Sequence, residues 1–360
     1  MMLIHLIENL DDNYGGPSRS VPLLVKDLEE QGLCQEIFTV RWSDNENNTI
    51  VNRLNLNVKK FKLIGSRKFS FSPSMLKALI IQRHSYENIH VHNHWNFIAI
   101  CALIMTFFGK RVFITIRGSL DSGTKNSFAI KFYKAIFFIL IIKPLLRRST
   151  KIVTTSTCLL YGINTKKIEK VFNHLEGFSL QISHPKNEAR GLMVLSVGRL
   201  NRHKRFESLI ELASVNSNVI LTLACLDEDM EYLDFLSNII EYNNLESRVK
   251  IIRNANRHQL ELLYLQSDVF ISTSYSENFG IAIADSLLSG CYTIAPKASP
   301  WPDHISELPH LFISGPDIVD LETLLNEIEQ RPLSTELRLE YSKYAENLLK
   351  SKVQTAELYV

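Results

Sequence analysis

Two carboxylates on either side of a glycine mark the stretch Ser274-Tyr275-Ser276-Glu277-Asn278-Phe279-Gly280-Ile281-Ala282-Ile283-Ala284-Asp285. A strand-like run, 268–272, precedes it, and a helical run follows as far as Gly290. Glu277 therefore falls in the loop after a strand, and Asp285 in the next helix. A carboxylate can accept two hydrogen bonds from a vicinal diol such as a ribose, each worth roughly 1.5–3 kcal/mol. A phosphate would sit at the helix N-terminus, where backbone N–H groups and the helix dipole favour an anion. The pair fits a neutral, hydroxyl-rich ligand that also carries phosphate. A loop charge and a solvated helix face would account for the same two residues.

A second constellation supplies the opposite charge. Ser196-Val197-Gly198-Arg199-Leu200-Asn201-Arg202-His203-Lys204 places basic residues directly after a strand. Arg199 could pair with a diphosphate in a bidentate way, and Lys204 as a point charge. A solvated basic turn is the plain alternative, but both loops leave strand ends at the same edge of one sheet. Gly15-Gly16-Pro17-Ser18-Arg19 follows the first strand. Glycines there let the backbone approach a ligand and open a helix toward an anion; a tight turn would look the same. The spacing is not G-x-G-x-x-G, which argues against a nicotinamide enzyme.

His90-Val91-His92-Asn93-His94-Trp95 closes another strand. Alternation would put the three histidines on one face, but no acidic or cysteine partner accompanies them, so no metal is expected. The cysteine pairs and basic context of a His-Asn-His nuclease are missing as well. A histidine that hydrogen-bonds a sugar or phosphate and a structural histidine both fit. The stretch Lys125 to Lys151 holds Lys125, Lys131, Lys134, Lys143, Arg147, Arg148 and Lys151 around an apolar run, with no acidic residue. Such a segment can lie against an anionic membrane surface; a core helix with solvated basic ends is the other reading.

These residues need elements to hold them. In the C-terminal half the pattern predicts strands at 192–197, 219–224, 248–252, 268–272 and 292–295, with helices between them. Phe206, Leu209, Ile210 and Ala213 recur at helical spacing in the first of those helices. The N-terminal half repeats the style, with strands at 3–7, 36–40, 88–92, 111–116 and 151–154 and helices at 18–31, 73–84, 95–108 and 127–146. Segment 41–57 is polar and Asn-rich and reads as a loop. Alternating strands and helices predict an α/β fold of doubly wound parallel sheets. The polar stretch 184–190 is the best linker. Two Rossmann-like domains with a cleft between them follow: 1–183, then 190–333. A C-terminal helix and tail, 334–360, is placed against the N-terminal domain.

At 360 residues the length favours about two domains, and the 45% apolar share is that of a soluble globular protein. A net charge of +2 gives no ground for nucleic-acid binding. The five cysteines are scattered without a C-x-x-C pair, which supports neither zinc nor redox chemistry and suits a reducing cytoplasm. The start, Met1 to Glu8, lacks a basic n-region and reads as a strand rather than a signal peptide. The strongest apolar run, 135–142, is far shorter than the roughly 20 residues a membrane span needs.

Together these residues resemble the retaining glycosyltransferases of family 4, of GT-B fold, over nearly the whole chain. The most specific part is Ser276–Gly290, which looks like the family's acid-x7-acid element with Asp285 in place of the usual Glu. Val197-Gly198-Arg199-Leu200 with Lys204 is similar to the family's strand-end Arg and Lys, although Arg205 stands where the family usually has Gly. Gly15-Gly16 resembles its N-terminal glycine loop. Thr115-Ile116-Arg117-Gly118 and Ala298-Ser299-Pro300-Trp301 look like a bacterial surface-polysaccharide branch. The resemblance implies that Arg199 and Lys204 hold a donor diphosphate, that Glu277 contacts the transferred sugar and that Asp285 holds the ribose. Donor contacts would also come from Gly15, Gly16, Asn278, Phe279, Gly280 and Ile281. His92, His94 and Arg117 would shape the acceptor side.

The implied activity is metal-independent transfer, with retention, from a nucleotide-diphosphate sugar to a glycan or lipid-linked acceptor in surface polysaccharide (capsule or O-antigen) synthesis. No cofactor is implied, and the setting is the cytoplasm or the inner face of the plasma membrane. Two alternatives stay open: an inactive nucleotide-sugar-binding partner protein of the same shape, and a sugar-nucleotide epimerase.

Overall fold

The computed structural model describes the chain except residues 1, 13–14, 45, 117–127, 156–166, 178–190, 228, 316, 332, 354 and 360, and describes only the backbone of 128–132. The chain forms two compact units, 1–176 with 352–360, and 177–351.

Among the described residues the first unit has seven strands: β1 (Met2–Ile7), β2 (Cys34–Arg41), β3 (Val58–Lys62), β4 (Asn88–Val91), β5 (Arg111–Ile116), β6 (Lys151–Thr154) and β7 (Ile168–Lys170). They form one parallel sheet in the order β3-β2-β1-β4-β5-β6-β7. Its helices are α1 (Gly16–Glu30), α2 (Thr49–Leu54), α3 (Pro73–Ile81), α4 (Phe97–Phe107), α5 (Phe128–Phe137) and α6 (Lys143–Arg148). A parallel sheet must be covered on both faces, and strand alternation divides the apolar residues accordingly. Ile4 and Leu6 pack with α3, α4 and α6, whereas Leu3 and Ile7 pack with α1.

The second unit carries β8 (Leu192–Arg199), β9 (Val219–Leu226), β10 (Val249–Arg253), β11 (Val269–Ile271), β12 (Tyr292–Pro296) and β13 (Leu311–Ser314). These are parallel in the order β10-β9-β8-β11-β12-β13. Helices α7 (Phe206–Val215), α8 (Met230–Tyr242), α9 (Arg257–Gln266), α10 (Ile281–Leu288), α11 (Ile318–Glu329) and α12 (Thr335–Lys352) complete it. In both sheets the strand order reverses once, at β1/β4 and at β8/β11. Crevices for ligands open at the C-terminal ends of such strand pairs.

Several elements differ from the sequence reading. The Asn-rich segment 41–57 contains α2, because its asparagines serve as caps: Asn48 accepts from Val51 N–H at the start, and Asn55 takes the left-handed conformation at the end. The helix expected over 127–146 divides into α5, a π-helical turn at Phe138–Ile142 and α6, whose first turn carries Pro144. Strands β3, β7 and β13 are too short or too polar to show a period in the sequence.

The proposed linker lies outside the described residues, and the segment 334–360 is divided between the units. Helix α12 packs with the second unit, where the buried Arg338 donates to the carbonyls of Tyr264 and Ser267 and Ser342 donates to that of Leu288. Residues 352–360 return to the first unit. There Tyr359 is fully buried against Phe113, with its hydroxyl 2.7 Å from His90 Nδ1.

Candidate active site

In the second unit the reversal point brings the basic and acidic loops together. β8 ends at Arg199, and a short 3-10 turn, Arg202–Lys204, leads into α7. β11 ends at Ile271, and its loop runs to α10. Across the gap Lys204 Nζ lies 2.5 Å from Glu277 Oε1, and the two side chains keep only 18% and 14% of their exposure. The Ser274 hydroxyl donates to the same carboxylate oxygen at 2.7 Å.

Burial pushes the Glu277 carboxyl up. The charge and hydrogen bond of Lys204, the hydrogen bond from Ser274 and the nearby His203 outweigh it and hold the group below the ordinary carboxylate value. Glu277 is therefore an anion at neutral pH. It can accept hydrogen bonds or stabilise positive charge, but it is not stocked with a proton to give.

The two loops are stitched by more than this pair. Tyr275 N–H donates to the His203 carbonyl, and Thr273 Oγ1 donates to the carbonyls of Lys204 and Arg205. His203 Nε2 lies 2.8 Å from the Ser276 carbonyl, which requires that nitrogen to carry the proton. From the next loop, the Ala298 carbonyl accepts from Glu277 N–H, and the buried Trp301 indole donates to the Phe279 carbonyl at 2.6 Å.

Two glycines make this arrangement possible. Gly280, at φ 73°, turns the chain into α10, whose N-terminus has no side-chain cap. Gly198 lets the Lys204 stem lie over its Cα, since a Cβ there would meet Lys204 Cε at 2.8 Å. Arg205, where a glycine resembles the family pattern better, is left-handed at φ 51°, and its guanidinium lies 5.0 Å from the Tyr275 ring centroid.

The remaining residues expected on the donor side lie on the same strand end, loop and helix. Arg199 is exposed at the end of β8. Asn278 is half-buried and Phe279 is buried in the loop, Ile281 opens α10, and Asp285 is buried on α10 with 3% exposure.

In the first unit Gly15, at φ 109°, caps α1, Gly16 is its first residue, and no side chain caps that N-terminus. At the β1/β4 reversal Glu8 accepts from both Asn93 Nδ2 and Asn96 Nδ2. His92 and His94 are buried, with 1% and 0% exposure, and Arg117 lies outside the described residues.

The three histidines of the motif do not act as one group. His90 and His92 pack together with ring centroids 4.0 Å apart, whereas His94 lies tilted against Trp95 beyond the strand end. Their third companion is His5, paired in register with His90 across β1 and β4. His5, His90 and His92 bring ligand atoms within 4.8 Å of one another, the spacing of a metal set. Five of their nitrogens have hydrogen-bond partners. His5 Nε2 meets Gln35 Oε1 at 2.6 Å and His5 Nδ1 meets His92 Nε2 at 2.9 Å. His90 meets Thr115 Oγ1 and the Tyr359 hydroxyl. Gln35 Nε2 donates to the Val25 carbonyl, so its oxygen faces His5, and His92 Nε2 must carry the proton toward His5 Nδ1.

Sequence reasoning missed His5, Glu8, Ser274, His203 and the clamping role of Trp301. Only strand register and loop packing reveal them.

Residues 181–348 match the family model of the group 1 glycosyl transferases. No curated protein matches the chain in sequence. Among solved structures, Anabaena HepE in complex with UDP and glucose is similar at a TM-score of 0.72 and 16% identity, over 99% of this chain and 97% of that one. Sucrose-phosphate synthase from Thermosynechococcus elongatus is similar at 0.74 and 16%, over 99% and 96%. The catalytic domain of Arabidopsis thaliana starch synthase IV, bound to ADP and acarbose, is similar at 0.72 and 14%, over 100% and 98%. The chain therefore has the GT-B fold, two parallel-sheet Rossmann-like units, and its second unit carries the sequence signature of group 1 glycosyl transferases.

Proposed function

We propose that the chain transfers a sugar from a nucleotide-diphosphate donor to a glycan or lipid-linked acceptor hydroxyl, with retention at the anomeric carbon. The Lys204–Glu277 pair at the β8/β11 reversal carries this reading, because it sets a cation and an anion side by side on two clamped loops. Lys204 has three donors and can share them between Glu277 and a phosphate oxygen. Arg199 adds a bidentate partner for the diphosphate. Backbone N–H groups from Phe279 to Ile281 add positive potential at the α10 N-terminus. Glu277, held ionised, accepts from the hydroxyls of the transferred sugar. Asp285 serves the ribose, and Gly15 and Gly16 give the donor a second backbone approach. His92 and His94, both buried, would shape the acceptor side from beneath, and Arg117 is assigned to that side as well.

In the reaction the bond from the anomeric carbon to the β-phosphate oxygen breaks, and a bond to the acceptor oxygen forms on the same face. The acceptor proton goes to the leaving phosphate oxygen. The cations stabilise the charge that develops on the diphosphate, so catalysis rests on positioning and electrostatics and calls on no metal. The similar structures that hold UDP with glucose and ADP with acarbose support a nucleotide-sugar donor. Surface polysaccharide synthesis at the inner membrane face is the setting we infer.

Purified protein should be screened by thermal shift against UDP-, GDP-, dTDP- and ADP-sugars, since a ligand that binds the native state raises its melting temperature. Transfer from the best binder is then followed in Lys204→Ala and Glu277→Ala. Loss of transfer in folded variants supports the reading. Near-wild-type turnover in both refutes it, and donor isomerisation without an acceptor would turn it to an epimerase.

A further inference from the structure

One helical layer of the first unit is anomalous in charge and exposure. Helices α3 to α6, with the π turn, cover one face of the sheet. Across 73–81, 97–107 and 128–148 the sequence has Lys77, Lys131, Lys134, Lys143, Arg147 and Arg148 and no Asp or Glu. Arg83 and Lys110 flank the same helices.

The layer also leaves large apolar side chains in solvent: Ile81 64%, Phe107 66%, Phe108 46%, Tyr133 48%, Ile136 42%, Ile139 60% and Leu140 62%. Ile64 is the one other exposed large hydrophobic among the described residues of this unit, so the exposure is concentrated here. Basic groups sit directly on the apolar ones. The Arg148 guanidinium lies 4.2 Å from the Phe107 ring centroid, and that of Arg83 lies 5.9 Å from Phe108. Along the chain Tyr133, Ile136, Ile139 and Leu140 lead into the exposed Lys143, Arg147 and Arg148. Beside them α3 forms an open apolar groove of about 400 Å³ lined by Phe71, Leu76, Ile80, Ile81 and Phe97, with Lys77 at its edge.

We infer that this acid-free layer docks on the surface of an anionic phospholipid bilayer, its apolar side chains entering the interface while its basic groups meet lipid phosphates. Apolar faces bordered by Lys and Arg have this affinity, and the long basic side chains can keep their charges at the headgroups. A second copy of the chain is a poor occupant, because two such faces would set like charges, Lys77, Lys143, Arg147 and Arg148 on each, against one another. None of the described helices is long and apolar enough to cross a membrane, so the contact lies on the bilayer. The inference deepens the membrane setting proposed above and rests on that part of the reading, but not on transfer itself.

The test is co-sedimentation of the full chain with phosphatidylcholine vesicles and with vesicles containing one-third phosphatidylglycerol, at low and high salt. Wild type should prefer the anionic vesicles by about 25-fold or more and lose the preference in high salt. Ile139→Glu with Leu140→Glu should weaken binding at least tenfold. Lys143→Ala with Arg147→Ala should reduce the anionic preference by about 25-fold, since each charge near the surface contributes roughly fivefold. Lys26→Ala, on α1, should bind as wild type. Circular dichroism verifies folding, and if the Glu variants unfold, the Ala pair decides.

Equal binding to both vesicles, or wild-type binding by both double variants, overturns the inference. So does a dimer in light scattering that Ile139→Glu disperses, or retention on a polynucleotide without vesicle binding. Glu277→Gln separates the two proposals. It should bind vesicles as wild type even where transfer is lost, whereas a transferase that ignores vesicles leaves the function standing and this inference refuted.

Discussion

Replacing Lys204 by Met tests the electrostatic core of the site. The substitution keeps the stem's bulk over Gly198 and leaves the Glu277 carboxylate with the hydrogen bond from Ser274. Breaking a buried pair by removing one partner costs about 3–5 kcal/mol. Because Lys204 and Glu277 retain 18% and 14% exposure, and Glu277 can take up a proton, the expected loss at pH 7 is about 2–3 kcal/mol.

The pH dependence has a definite sign. In the wild type the folded Glu277 pKa lies below its ordinary 4.5, so the pair stabilises above that value and fades as pH falls through the folded one. Without Lys204, burial is opposed only by Ser274 and the nearby His203, so the Glu277 pKa should rise and the stabilisation present above it should shrink. The gap between the two proteins should be full near neutrality and narrow below about pH 4.5. Urea unfolding followed by circular dichroism at pH 7 and pH 4 measures it. Transfer should fall by about 10²–10³, the usual effect of removing one charge-stabilising donor. Lys204→Met with Glu277→Gln should regain most of the stability but no activity, because an uncharged pair of similar volume packs nearly as well. A single variant within about 0.5 kcal/mol of wild type at pH 7, or within tenfold in transfer, refutes the reasoning.

Other perturbations probe the supports. Gly198→Ala should push the Lys204 stem aside and weaken nucleotide-diphosphate binding about tenfold in calorimetry, with under about 1 kcal/mol lost in stability. Arg205→Gly should be about 0.5–1 kcal/mol more stable than Arg205→Ala, since both lose the contact with Tyr275 and only glycine relaxes at φ 51°. Tyr359→Phe should cost about 1–2 kcal/mol in urea unfolding, because it removes the hydroxyl paired with the buried His90. Burial lowers His5 to about 4 and, with help from the Lys134 charge, His94 to about 3, against an ordinary value of 6.5. The unfolded chain therefore takes up these protons first, and the first unit should lose stability as pH falls from 6.5 toward 4, with the slope reduced in His5→Asn.

How much could be read from the letters differs from element to element. The Phe206–Ala213 stripe and the apolar runs of β8, β9 and β12 announce their own periods, so most of the alternating pattern was legible. β7 and β13 were not, since runs of three and four residues carry no period. The asparagines of 41–57 suggested a loop because their capping roles depend on where each stands in α2.

Within the candidate site, chemistry was legible and pairing was not. The types and local spacing of Glu277, Asp285, Arg199 and Lys204 follow from short sequence stretches, which fix local backbone and the kind of ligand that suits it. That Lys204 and Glu277 touch across 73 positions follows only from β8 and β11 lying side by side where the strand order reverses. His5 joins His90 and His92 for the same reason, through the register of β1 on β4. Strand adjacency arises from the packing of whole helical layers on both sheet faces, a long-range balance that no local run of residues encodes.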